Sequence, residues 1–149
     1  MASFSAQVGA WAAKVDGALE AVFKESAQEL VNTMDQLLVD MVYKGPPSPN
    51  YNRTGFLRAS LMASTTAMPQ LTRDNPGVPV PADLGDVILV IAGADLGDTI
   101  YLGVTASYGA MVHYGARGQA PRPWVTLAAQ RWTAIVATKA SEVRSRLGL

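Results

Sequence analysis

The fold is decided by residues 5–42, which read SAQVGAWAAKVDGALEAVFKESAQELVNTMDQLLVDMV. Apolar side chains recur there in steps of mostly three and four, while acidic side chains occupy the other face, as in an amphipathic helix. The stretch predicts one long helix of on the order of 57 Å, at about 1.5 Å per residue. Ser3 or Ser5 is the expected N-cap, and Gly9 and Gly17 are positions at which the helix could divide.

Two features predict contacts with other chains. A helix of this length exceeds what the rest of the chain can cover, so some of its apolar turns are expected to be exposed and to need a neighbour. Charged residues make up 16% of the chain, against roughly 25% in a typical soluble domain. The low share favours a surface that partners cover. The alternative is a monomer with a surface rich in Ala, Gly and Ser.

Beyond the long helix, breakers alternate with short apolar runs. Gly45 and the prolines of residues 46–50 end the helix, and Thr54 is the expected N-cap of a short helix over residues 55–60. Residues 68–84 contain four prolines and predict a long loop without secondary structure of its own. Strands are predicted at residues 61–67, 86–92 and 99–105, with a hairpin turn at 95–98 joining the last two.

The C-terminal third predicts two helices. Ser107 is the expected cap of a short helix that ends at Gly115, and Pro123 suits the first position of the last helix after a loop at residues 116–121. The last helix carries an apolar stripe: Trp124, Ala128, Trp132, Ile135, Val136, Ala140, Val143 and Leu147. The predicted fold is a single α+β domain over residues 1–149, with a long N-terminal helix, a small antiparallel sheet with a hairpin, and a closing C-terminal helix.

The composition also bounds the class of protein. Hydrophobic residues make up 49% of the chain and there is no cysteine. A packed core is therefore expected, while disulfides, thiol chemistry and cysteine-based zinc sites are excluded. The absence of cysteine fits a protein made in a reducing cytoplasm. The N-terminus lacks the basic region of a signal peptide, and the longest apolar run, residues 87–94, is too short to cross a membrane.

The net charge of zero conceals a gradient along the chain. Residues 1–43 carry two basic and six acidic side chains, while residues 116–149 carry six basic side chains and one acidic side chain. An acidic front and a basic end can attract copies of the chain head to tail. The alternative is that the two helical ends pair within one subunit.

No pattern in the sequence predicts catalysis, a cofactor or a metal site. His113 is the one histidine, and between aromatic residues it is expected to be a packed or interface residue. Ser60 and Ser107 lack the surroundings of a nucleophilic serine, and no glycine-rich phosphate loop is present. The basic residues near the C-terminus are spread around a helix, so they permit only a non-specific contact with DNA.

Three blocks, taken in order, resemble a known family. They are residues 54–61 (TGFLRASL), 108–115 (YGAMVHYG) and 120–128 (APRPWVTLA). Their order and spacing resemble the neck or tail-completion (head–tail joining) proteins of long-tailed bacteriophages, typified by a minor tail protein of lambda-like coliphages. The sequence departs from the family pattern at His113, where an acid is common, and in the long loop at residues 68–84.

The residues of the first block have plain structural interpretations. Thr54 caps a helix, Gly55 permits a tight turn, Leu57 packs into the core, and Arg58 could bridge to an acid of the next subunit. In the other two blocks, Gly109 and Gly115 allow backbones to approach closely. Pro121 and Pro123 set the angle at which the last helix leaves. Tyr108, His113, Tyr114 and Trp124 complete the set of expected structural or subunit-contact residues.

The resemblance implies a non-enzymatic α+β subunit of the virion, usually six to a ring, that is assembled in the host cytoplasm. It implies contacts with other neck proteins and with the tail tube, through the long helix and the sheet edges, and a lumen through which DNA passes. No membrane contact is expected. Two alternatives remain: a small hydrolase or lytic factor encoded with the tail genes, and an assembly chaperone that is absent from the finished particle.

Overall fold

The computed structural model of the chain describes residues 3–45 and 53–149. The predicted α+β class is confirmed, since helices surround one small antiparallel sheet. The elements in chain order are α1 (Phe4–Leu38), a π-helical turn (Val39–Tyr43), α2 (Phe56–Ala59), β1 (Leu61–Ser64), α3 (Gly85–Gly93), β2 (Tyr101–Val104), α4 (Gly109–Tyr114), α5 (Trp124–Gln130) and α6 (Trp132–Leu147).

The long N-terminal helix is confirmed, and neither Gly9 nor Gly17 divides it. The Ser3 hydroxyl accepts a hydrogen bond from the backbone N–H of Ala6 at 3.2 Å, which satisfies one of the free donors of the first turn. At its C-terminal end the helix widens into the π-helical turn, which the sequence did not predict. The predicted proline-rich end, residues 46–50, lies outside the described residues.

The sheet pairs β1 with β2 in antiparallel register, with Leu61 opposite Val104 and Ser64 opposite Tyr101. The predicted strands at 61–67 and 99–105 are thus confirmed in shorter form. The predicted hairpin is wrong, because the partner of β2 is β1 and not residues 86–92. The turn at 95–98 does form, with the N–H of Asp98 donating to the carbonyl of Asp95 at 3.0 Å, but it joins a helix to β2.

Residues 86–92 form helix α3, so the predicted strand is wrong. Val87 and Ile91 lie four residues apart on one face and are buried against Ala27 and Val31 of α1. A strand would have placed Leu89 on the same side, yet Leu89 is 70% exposed. The helix is stabilised at both ends. The Asp83 carboxylate accepts from the N–H of Gly85 at 2.8 Å, and Lys24 donates to the carbonyl of Ala92 at 2.8 Å.

The predicted last helix is divided at Arg131 into α5 and α6. The predicted stripe is interrupted there, because Trp132 is 37% exposed while Trp124 is buried. Two predicted helix starts are also displaced. Tyr108, not Ser107, stands at the N-cap of α4, and Pro123 is the N-cap of α5 and not its first residue. Neither observed N-cap residue makes a side-chain capping hydrogen bond.

The core consists of two neighbouring hydrophobic clusters on α1. The larger joins α1 to α2, β2, α4 and α5, and the smaller joins α1 to α3 and the sheet. Helix α6 packs along α1 and ends near its middle, where Arg146 pairs with Glu25 at 2.6 Å. One pair between the acidic front and the basic end therefore forms within the chain. None of the described helices is long and apolar enough to span a membrane.

Candidate functional site

The three sequence blocks that resemble the phage family meet in the larger core cluster. Phe56 and Leu57 of the first block, Tyr108 and Val112 of the second, and Trp124 of the third pack together there. The rings of Phe56 and Tyr108 lie 6.4 Å apart. The Arg122 N–H of the third block donates to the carbonyl of Val112 at 3.1 Å. The blocks therefore form one structural unit, which holds α2, α4 and α5 against α1.

Thr54 and Gly55 hold the long loop against the start of α2. Gly55, with φ of 82°, occupies the N-cap position predicted for Thr54. The buried Thr54 hydroxyl accepts from the N–H of Phe56 at 3.3 Å and donates to the Asn75 side-chain oxygen at 2.9 Å. The Val80 N–H donates to the Thr54 carbonyl at 2.7 Å. Two points of the loop at 68–84 are thereby fixed to the first block.

Arg73 gives the same loop a third attachment, at the end of the sheet. Its N–H donates to the carbonyl of Thr105 at 2.7 Å, and its guanidinium donates to the Thr105 hydroxyl at 2.8 and 2.9 Å. Thr105 in turn donates to the carbonyl of Ser60 at 2.7 Å. The guanidinium carbon also lies 5.4 Å from the centre of the Phe56 ring, in a cation–π contact. The predicted structureless loop thus bridges the first block and β2.

Arg58 pairs with Asp35 of the same chain, and a bridge from this residue to the next subunit stays a prediction. Its guanidinium donates two hydrogen bonds to the carboxylate, at 2.8 and 2.7 Å. The adjacent carboxylate raises the pKa of Arg58 above its ordinary value. The pair fastens α2 to the last turn of α1. Sequence reasoning missed Asp35, since nothing local identifies which of the acidic residues on α1 faces α2.

His113 caps the first turn of α5 from outside the helix. Its Nε2 accepts from the backbone N–H of Thr126 at 3.3 Å and lies 3.2 Å from the Thr126 hydroxyl. The ring is buried edge-on to Tyr114 and Trp124, with centroid distances of 4.4 and 5.3 Å. Burial lowers the pKa of His113 below its ordinary value, because the charged ring loses its hydration.

Gly115 makes this arrangement possible by turning the chain back toward α5. Its φ is 83°, and a Cβ at this position would lie 2.9 Å from the carbonyl oxygen of Gln119 and 3.0 Å from the nitrogen of Pro121. Only glycine tolerates both the backbone conformation and the close approach. The second and third blocks are therefore joined by a tight connection that brings His113 and Thr126 together.

An open groove of ≈ 230 Å³ lies beside this joint, between β2, α4 and α5. Its walls include Leu102, Ala110, Tyr114 and Val125, and its base includes Met34 of α1. His113 is the one lining residue among those described that belongs to the acidic or basic types. Tyr114 at the rim is 72% exposed. The groove is thus an apolar, uncharged concavity on the surface.

The other prominent surface is the start of α1, residues 3–13, which we call the N-terminal arm. Every residue of the arm is exposed and none carries an ionisable side chain. Phe4, Val8 and Trp11 are 82%, 47% and 61% exposed. They follow one another in steps of four and three and so lie on one face of the helix. The predicted exposure of apolar turns on the long helix is confirmed here.

Among the described residues, His113 lacks the partner that a catalytic histidine needs. Its Nδ1 is buried without a hydrogen-bond partner among the described residues, so no carboxylate orients the ring as a Ser–His–acid triad requires. The described residues contain no cluster of His, Asp or Glu suited to a metal ion. Comparisons with family models, curated proteins and solved structures returned no match. Function is therefore inferred from the chain itself.

Proposed function

We propose that this chain is a structural subunit of the head–tail connector, or neck, of a long-tailed bacteriophage. It completes or terminates the tail and joins it to the DNA-filled head as a hexameric ring. Its neighbours in the virion are further copies of itself, other neck proteins and the tail tube. The chain contacts DNA in the lumen only through non-specific electrostatic interactions.

The observation that carries the proposal is the convergence of the three blocks. The first block is far from the other two in the sequence, yet Leu57, Tyr108 and Trp124 pack in one cluster. The residues by which the chain resembles the neck family are thus those that set the mutual positions of α2, α4 and α5. That is the role expected of residues that define the shape of a ring subunit.

A second observation supports assembly. The N-terminal arm exposes an apolar face, and a soluble monomer seldom keeps such a face uncovered. Within residues 3–45 and 53–149, no third strand pairs with the outer edges of β1 and β2, and proteins generally cover or pair such edges. A ring offers neighbours for both the long helix and the sheet edges.

The experiment that tests the proposal removes the protein from an infecting phage and images the products by negative stain. A tail terminator predicts overlong tails, and a joining protein predicts normal free tails beside filled heads. Mass spectrometry of purified wild-type virions is expected to find the chain. Its absence from virions, or an unchanged yield of joined particles without it, would contradict the proposal and favour an assembly chaperone or a dispensable protein.

A matched variant separates a structural role from catalysis. His113→Gln removes the imidazole but keeps an acceptor near the Thr126 N–H, so the fold is expected to survive. A ring subunit carrying this change is expected to restore joined particles fully. Loss of rescue by a folded His113→Gln protein, together with hydrolysis of cell-wall or ester substrates by the wild type, would identify a hydrolase instead.

A further inference from the structure

We propose that the N-terminal arm of one copy docks in the groove between β2, α4 and α5 of the next copy, so that subunits join head to tail. The inference rests on the proposed function and deepens it, since it names the contact that builds the ring. Its occupant is a second copy of this chain, with Trp11 or Phe4 as the anchor in the groove.

The arm continues a face of α1 that is covered elsewhere in the molecule. The series Phe4, Val8, Trp11 and Val15 extends by helical steps to Ala18 and Ser26, which are buried. Helix α6 ends beside Glu25, and Lys14 lies close to Gly148 near the last turn of α6. The apolar face therefore runs past the end of its intramolecular cover, and the arm is the uncovered part.

The groove cannot be filled by the arm of its own chain. Met34, at the base of the groove, belongs to the same unbroken helix as Trp11 and lies about 35 Å further along it, at about 1.5 Å per residue. The intervening turns of α1 therefore keep the arm away from the groove of its own chain. A contact between two different surfaces of identical subunits is heterologous, and it closes into a ring or extends as a filament.

The two surfaces match in charge and in size. The arm has no ionisable side chain. The groove is lined by no Asp, Glu, Lys or Arg, and burial lowers the pKa of its histidine, which disfavours the charged ring. An arm that inserts an aromatic ring needs a cavity of the scale of one large side chain, and the groove has ≈ 230 Å³. Apolar surfaces without charge at their centre are typical of the interior of an interface.

Ring closure favours this contact over pairing of two arms. At about 150–250 Å² for a whole aromatic side chain, Phe4 and Trp11 together leave on the order of 300 Å² exposed. One contact of either kind would bury about that much of the arm, well below the roughly 800 Å² per partner of a stable interface, and two paired arms leave no further surface to add. In a ring, each copy uses both its arm and its groove. The contact that closes the ring forms between chains that are already held together, which strengthens the whole assembly.

The test uses two variants of the full chain that each remove one half of the contact. Trp11→Asp charges the arm and keeps the groove; Ala110→Glu charges the groove and keeps the arm. Both residues are exposed, and circular dichroism checks that both variants fold. Matched controls are Ala13→Asp, on the opposite face of the arm, and Ala129→Glu, on α5 but outside the groove lining.

Sedimentation is expected to show self-association of the wild type and of both controls. Each variant alone should associate at least about tenfold more weakly, the effect of losing a buried aromatic anchor. An equimolar mixture of the two variants should form one-to-one dimers and nothing larger. The reason is that the arm of the Ala110→Glu chain can enter the groove of the Trp11→Asp chain, while the other two surfaces are disabled.

Three results would overturn the inference: a wild type that stays monomeric at high concentration, association that Ala110→Glu leaves unchanged, or a mixture that stays monomeric. The second is what arm-to-arm pairing predicts. These outcomes are separate from those of the proposed function. If the chain enters virions and joins tails, but Ala110→Glu has no effect on self-association, then the chain is a neck subunit whose copies meet through another contact. Confirmed docking in a chain absent from virions refutes the neck role alone.

Discussion

Arg58 and Asp35 form a bidentate ion pair, with guanidinium nitrogens 2.8 and 2.7 Å from the two carboxylate oxygens. The pair links α2, where the first block lies, to the C-terminal end of α1. Both side chains are partly withdrawn from water, at 32% and 23% exposure. A parallel pair of hydrogen bonds fixes orientation as well as distance, so this contact sets the angle at which α2 meets α1.

Breaking the pair is expected to destabilise the fold. Arg58→Met or Asp35→Asn should each lower the free energy of unfolding by about 1–2 kcal/mol, less than the 3–5 kcal/mol of a fully buried pair because water still screens these charges. The double variant should lose less than the sum of the two, since each single change leaves the other charge unpaired. Urea unfolding measures all three. Lys44→Met, which breaks the exposed pair with Asp40, is the control and should change little; equal losses would contradict the assigned role.

His113 is expected to make stability depend on pH. Because burial lowers its pKa in the folded chain, the unfolded chain binds the proton first as the pH falls through about 6.5. Stability is therefore complete above that pH and declines below it, until the folded-state pKa is reached. His113→Gln removes this dependence while keeping an acceptor for the Thr126 N–H. The measurement is the unfolding free energy at pH 7.5 and 5.5 for both proteins, and an identical loss in both would rule out His113 as its source.

The long helix could be predicted because its apolar period is continuous and its N-cap is a serine. Helix α3 could not, because nearly every residue from Val87 to Ala92 is apolar and such a run has no period to distinguish a helix from a strand. The decision comes from α1, where Ala27 and Val31 accept one face of α3. The pairing of β1 with β2 joins residues far apart in the sequence, and local patterns do not encode which distant strand is the partner.

Truncation of α3 tests its helical packing directly. Ile91→Ala should lower the free energy of unfolding by about 2–4 kcal/mol, because it leaves a cavity at a position with 0% exposure. Leu89→Ala removes a side chain of equal size that is 70% exposed, and should cost less than about 0.5 kcal/mol. In a strand these two positions would share one face. Similar losses from the two variants, measured by thermal or urea unfolding, would therefore contradict the helix.

The sequence predicted which residues belong to the candidate site better than it predicted which residues contact one another there. The residue types of the three blocks identified Leu57 and Trp124 as packing residues, and both are buried. The partner of Arg58 and the capping role of His113 depend on how helices meet, which local sequence does not specify. Thr126 could not be linked to His113 without the turn that Gly115 makes. The role of the long loop was equally hidden, since Asn75 and Val80 reach Thr54 only in the folded chain.

The long loop approaches the first block closely at Gly55. Alanine variants of Gly55 and Gly77 can separate the cost of backbone strain from the cost of a steric clash with the loop. Gly55 and Gly77 both have positive φ, 82° and 77°, so alanine at either position costs on the order of 1 kcal/mol in backbone strain. A Cβ at Gly77 meets nothing within 4 Å, whereas one at Gly55 would lie 2.7 Å from the carbonyl oxygen of Val80.

Gly55→Ala is therefore expected to lower the free energy of unfolding by more than Gly77→Ala, by about 1 kcal/mol or more, because the Val80 backbone must also move and its hydrogen bond to Thr54 weakens. Urea unfolding gives the difference, and limited proteolysis should cut residues 68–84 faster in Gly55→Ala alone. If the two variants lose the same stability and resist protease equally, the loop is not held at Gly55. Its attachment would then rest on Arg73 and Thr105 at the end of the sheet.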